Sequence, residues 1–88
     1  MLLSKSRVDV SNLDIERGIR LKRKKIMYFR IEKDLTQEAM AEMLGVTSQY
    51  ISYIERGRSN GSYKFWDKFK QVFGIPDEEI ESFKKLSN

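Results

Sequence analysis

Among the 88 residues there is no cysteine and no histidine. A disulfide framework is therefore excluded, together with zinc sites of the Cys/His type and catalysis built on those side chains. One proline and five glycines leave little to interrupt helices, and there is little of the β-branched alternation that marks strands. No apolar run approaches the roughly 20 residues of a membrane-spanning helix, and the N-terminus lacks the apolar region of a signal peptide. The carboxylates are scattered at expected helix ends, so no catalytic constellation can be assembled from them. The expectation is an all-α, cytoplasmic chain with no enzyme activity, no metal and no cofactor.

What is present fits one small domain. Apolar residues make up 40% of the chain and charged residues 34%, enough for a single core and a well-solvated surface. The net charge of +4 is unevenly placed. Residues 1–34 hold ten Lys/Arg against five Asp/Glu, whereas residues 35–61 hold two against three and residues 62–88 five against five. The excess peaks at Arg20 to Lys25, where only Leu21 is uncharged. Such a run is either a solvated helix face or an electrostatic footprint for a polyanion, and Lys24 and Lys25 are candidate phosphate contacts.

The stretch Thr36 to Gly57 organises the chain. Thr36 is placed to cap a helix, with Glu38 against the positive end of its dipole. Ala39, Met40, Met43 and Leu44 follow at the spacing of a helix with one buried face, and Gly45 stands where a left-handed residue ends a helix. Thr47 caps a second helix, in which Tyr50, Ile51 and Ile54 keep the three- and four-residue spacing. Two short helices joined through a glycine form a helix-turn-helix.

The segment LTQEAMAEMLGVTSQYISYIERGRSN resembles the lambda-repressor/Cro-type (XRE-like) helix-turn-helix family. The matching positions are Leu35-Thr36-Gln37, Ala41, Leu44-Gly45-Val46, Ser48, Ile51-Ser52, Ile54-Glu55, Gly57 and Asn60. The match runs from Ile26 to about Phe83 without an obvious gap. The resemblance implies a compact five-helix domain and sequence-specific binding of double-stranded DNA as a transcriptional regulator, more often a repressor. Such domains often act as homodimers on near-palindromic sites, with half-sites one helical turn, roughly 34 Å, apart.

The resemblance also assigns roles to residues. A recognition helix presents its N-terminal side chains to base edges in the major groove, which makes Ser48, Gln49 and Tyr53 the expected base readers, with Ser52 beside them. Gln49 donates and accepts at once, which suits the N6/N7 pair of adenine. Tyr53 either meets a thymine methyl or a phosphate, or packs against a neighbouring helix. Gln37 is the expected phosphate contact and buttress of the recognition helix. Thr36 and Thr47 stand at helix N-termini that favour anions, although capping alone accounts for both. Tyr50, Arg56, Arg58 and Asn60 complete the phosphate candidates. Arg30 occupies a position that pairs with a glutamate closing the recognition helix, here Glu55. Asp34 stands where the family often has glycine or asparagine, and Gly61 where proline is frequent; the latter implies a less rigid loop.

Outside the match, Ser11 and Asp14 resemble a capping pair for a helix burying Leu13, Ile15 and Ile19, with Gly18 weakening it. Residues 1–21 are thus a basic arm, an extra helix or a dimer contact, residues 22–85 the helix-turn-helix domain, and residues 86–88 a frayed tail. The first domain helix is expected over Lys22 to Lys33, with Ile26, Phe29 and either Met27 or Ile31 facing the core. A fourth helix runs from Ser62 to about Phe73 with Phe65 or Trp66, Phe69, Val72 and Phe73 inward. A fifth begins at Pro76, with Ile80 and Phe83 as anchors. One of Tyr63, Phe65 or Trp66 left exposed would make a dimer patch. The alternative function is a protein-interaction module, such as an antitoxin or a regulator acting mainly through a protein partner.

Overall fold

A computed structural model describes residues 21–87. The expected arm or helix over residues 1–21 lies outside these residues except for Leu21, as does Asn88. The described chain is α1 (Lys24–Glu32), α2 (Gln37–Leu44), α3 (Ser48–Glu55), α4 (Tyr63–Phe73) and α5 (Asp77–Lys84).

Local chemistry sets the helix boundaries. Thr36 Oγ1 accepts from Ala39 N at 3.0 Å, Thr47 Oγ1 from Tyr50 N at 3.1 Å, and Ser62 Oγ from Phe65 N at 3.0 Å. Each satisfies a backbone donor that the first helical turn leaves unpaired. Gly45 ends α2 with φ of 71°, and Asp34 takes the same left-handed conformation after α1 with φ of 57°. The first helix begins at Lys24 rather than Lys22, because Lys22 is drawn into a different pairing.

That pairing is with the tail. Lys22 N donates to Ser87 O at 2.7 Å and Ser87 N to Lys22 O at 2.8 Å, a two-residue antiparallel bridge. The expected fraying of residues 86–88 is therefore corrected as far as Ser87. Both ends of the described chain are tied to each other and close over the end of α3, where Arg23 N donates to Glu55 O at 2.9 Å.

The core gathers Ile26, Met40, Ala41, Leu44, Ile51, Ile54, Phe65, Trp66, Phe69, Ile80 and Phe83. Phe69 is its centre, fully buried, with Phe83 at 5.2 Å, Phe73 at 5.3 Å, Phe29 at 5.6 Å and Trp66 at 5.8 Å between ring centroids. Most of these rings meet edge to face, the arrangement that aromatic quadrupoles favour. Phe65 and Trp66 are both buried, so of the expected aromatic patch only Tyr63 is at the surface, 83% exposed.

Of the alternatives Met27 and Ile31 for the inward side of α1, Ile31 is the one that faces out, and the inward reading of Met43 is corrected. Ile31 is 54% exposed and Met43 44% exposed. At roughly 100° per residue, the face of α1 centred on Ile26, Phe29 and Arg30 leaves Ile31 on the far side. In α2 the buried set is Met40, Ala41 and Leu44, a face that turns Met43 outward.

The α3–α4 loop is not the loose segment that glycine at position 61 implies. Gly61 has φ of 77°, and a Cβ there would lie 2.6 Å from Trp66 Nε1 and 3.0 Å from Ile54 Cδ1. Trp66 Nε1 donates to Asn60 O at 3.0 Å, Gly61 N to Ser59 Oγ at 3.2 Å, and Arg58 N to Tyr53 O at 2.8 Å. Glycine here permits a close backbone approach to the indole and does not loosen the turn.

Candidate nucleic-acid interface

The two helices of the motif pack against each other and divide α3 into two sides. Ile51, Ile54 and Glu55 are buried. Gln49 is exposed, and Ser48, Ser52 and Tyr53 are partly exposed on the other side. Gln49 Nε2 donates to Tyr53 Oη at 2.8 Å, and the Arg56 guanidinium lies 5.8 Å from the Tyr53 ring centroid. The structure thus brings Gln49, Tyr53 and Arg56 together along one edge of the helix. A primary amide has two N–H donors and a carbonyl acceptor. Gln49 therefore keeps one donor and its acceptor for another group while bonded to Tyr53.

Beneath this face lies a polar knot. Glu55 is 3% exposed. Its Oε2 receives Arg30 Nε at 2.6 Å, and its Oε1 receives Arg30 Nη2 at 3.3 Å and Gln37 Nε2 at 3.1 Å. Arg30 Nη1 reaches on to Leu35 O at 2.8 Å. The carboxylate at the end of α3 is thereby bound to α1 and to the first turn of α2. A buried charge is tolerated only with this kind of pairing, and the pairing fixes the orientation of α3.

Around α3, Thr36 and Thr47 are exposed caps whose hydroxyl oxygens accept from backbone N–H groups. Arg56 and Arg58 are exposed, as is Asn60. Tyr50 Oη accepts from Ser62 N at 3.0 Å, and its ring meets Phe65 edge-on at 5.3 Å. Lys24 and Lys25 stand elsewhere, lining a cleft between α1 and α5 with Tyr28 and Lys85. Lys25 Nζ donates to Ser82 Oγ at 2.6 Å and lies 4.7 Å from the Phe83 ring centroid.

Arg23 is the residue that the sequence concealed. It belongs to the basic run expected to face a polyanion, yet it is 3% exposed. Its Nε donates to Lys84 O at 2.9 Å, and its Nη1 to Ile54 O at 3.0 Å and Ser59 O at 2.7 Å. Its Nη2 lies 3.4 Å from Asn60 Oδ1, and its guanidinium 5.8 Å from the Trp66 ring centroid. Desolvation holds its pKa below the ordinary arginine value, and all of these acceptors are neutral. Nothing in the run Arg20 to Lys25 distinguishes this arginine from its neighbours.

Comparison with known proteins gives a consistent picture. The profile of a family described as Helix-turn-helix matches residues 26–80. An uncharacterized helix-turn-helix-type transcriptional regulator of Methanocaldococcus jannaschii is 41% identical over 56 residues, covering 64% of this chain and 85% of the relative. Two uncharacterized regulators of the same type from Archaeoglobus fulgidus are 36% and 33% identical over 61 residues each, covering 69% of this chain and 86% and 87% of the relatives. No solved structure matches the chain.

Proposed function

The chain belongs to the Cro/C1-type helix-turn-helix family, and from that premise we propose that it regulates transcription by sequence-specific binding of duplex DNA, as a repressor. The observation that carries this reading is the division of α3. Its apolar side and Glu55 are locked into the core, while Ser48, Gln49, Ser52 and Tyr53 are left outside on a helix whose orientation is pinned. The relatives that share the motif are named as transcriptional regulators.

In this reading α3 enters the major groove. Gln49 takes adenine with its free acceptor and remaining donor, held in register by Tyr53. Ser48 and Ser52 reach neighbouring base edges, and Tyr53 meets a thymine methyl or a phosphate. Thr36, Gln37, Thr47, Tyr50, Arg56, Arg58 and Asn60 supply backbone contacts, which position the protein without specifying sequence; Lys24 and Lys25, set apart on the α1–α5 cleft, are not among them. One α3 offers few base contacts, so the chain acts as a homodimer on DNA. No described helix is long and apolar enough to cross a membrane, and the proposal places the protein in the cytoplasm with its DNA. A protein partner in place of DNA would use Tyr63, the aromatic of α4 left most exposed.

Selection of bound duplexes from a random pool tests the proposal. The expected result is an enriched, two-fold symmetric motif with half-site centres roughly 34 Å apart. Sedimentation with the enriched duplex should find two chains per duplex, and one chain per duplex rules out the dimer. No enrichment overturns the specific-regulator reading.

A further inference from the structure

We propose that the cleft between the α2–α3 turn and α4 seats one backbone phosphate of the duplex that α3 reads, held by Lys64 and Lys68. This rests on the duplex-binding reading and adds a site to it. The cleft has a volume of about 560 Å³ and is lined by residues that include Gly45, Thr47, Tyr50, Ser62, Lys64 and Lys68. No carboxylate lines it, and among the described residues neither lysine forms an ion pair.

Three features direct the cleft toward an anion. Lys64 and Lys68 are both exposed and stand four residues apart on α4, so their ammonium groups share one face. Like charges at that spacing repel, and a shared anion relieves the repulsion. Tyr50 Oη already accepts from Ser62 N, and a phenol has a single proton. That proton finds no acceptor among the described hydrogen bonds and is free to donate into the cleft. The third feature is position. Thr47 and Tyr50 belong to the first turn of α3, the end of a recognition helix that meets base edges. A helix about 10–12 Å across fills a groove about 12 Å wide, so its flank lies against the phosphates of the groove wall. A free anion would need no such neighbour; a backbone phosphodiester requires one.

Salt titrations of duplex binding, on a mixed-sequence duplex and on the enriched one, test the seat with Lys64→Gln/Lys68→Gln beside wild type and Lys64→Arg/Lys68→Arg. Loss of one phosphate contact should lower the magnitude of the slope of log K against log salt by about 0.9. Binding should weaken to the same extent on both duplexes, the enriched motif should stay unchanged, and the arginine pair should restore the slope. Thermal melting of the glutamine variant should match wild type, because both side chains are at the surface. An unchanged slope in the glutamine variant, with the motif intact, overturns the seat and leaves the regulator reading standing. Selective loss of binding to the enriched duplex also overturns it, since a phosphate contact reads no sequence. Absence of any duplex binding by wild type overturns both.

Discussion

Arg30 Nε lies 2.6 Å from Glu55 Oε2, joining the end of α1 to the last residue of α3 in a site where the carboxylate is 3% exposed. Removing the guanidinium leaves a buried charge with Gln37 as its remaining side-chain donor. Arg30→Met should therefore destabilise the fold by about 3–5 kcal/mol, the range for breaking a buried pair from one side. Arg30→Met/Glu55→Leu should recover a substantial part of that loss, because the uncompensated charge goes too. Urea denaturation of the three proteins decides it. Additive losses would show that the pair does not act as a unit.

Arg23 holds three carbonyls that belong to α3, the α3–α4 loop and the end of α5. Arg23→Met should cost about 2–3 kcal/mol, since the lost charge-assisted bonds are partly offset by no longer burying a cation. Its signature is local. Amide exchange should accelerate at Lys22 and Ser87, which bridge the chain ends, and at Arg58 and Gly61 in the loop, before it accelerates in α2. Unchanged exchange at these amides would show that the arginine does not clamp them.

Two glycines with nearly the same backbone should respond differently to alanine. Gly45 has φ of 71° with nothing within 4 Å of an added Cβ, whereas at Gly61, φ of 77°, the Cβ would meet Trp66 Nε1 at 2.6 Å. Gly45→Ala carries the left-handed penalty alone, about 1–2 kcal/mol. Gly61→Ala adds overpacking of about 1–3 kcal/mol and should change Trp66 fluorescence. Gly61→Pro should be worse still, because proline holds φ near −65°. Equal losses for the two alanine variants would contradict the packing of the loop against the indole.

The parts of this molecule that were legible in the sequence are those decided within a few residues. Thr36 and Thr47 cap helices through bonds to backbone three residues on, and Gly45 turns the chain between them. The spacing of Ile51 and Ile54 was sufficient to place Ser48, Gln49, Ser52 and Tyr53 outside the core. What was not legible depends on distant partners. Arg23 is buried because acceptors 31 to 61 residues away converge on it, and no local pattern marks one arginine in a basic run. The bridge from Lys22 to Ser87 has the same character. Apolar character alone neither chooses between Met27 and Ile31 nor reveals that Met43 faces out, because it does not set the phase of a short helix; the neighbours it packs on do.

In the proposed complex α3 reads bases through Gln49. The most direct measurement is duplex selection with wild type and Gln49→Ala in parallel, followed by affinities for base-substituted variants of the enriched site. Gln49→Ala should lose preference at one position per half-site, about 1–3 kcal/mol of discrimination, with the rest of the motif retained. A wild-type motif that persists unaltered at every position in Gln49→Ala would contradict it.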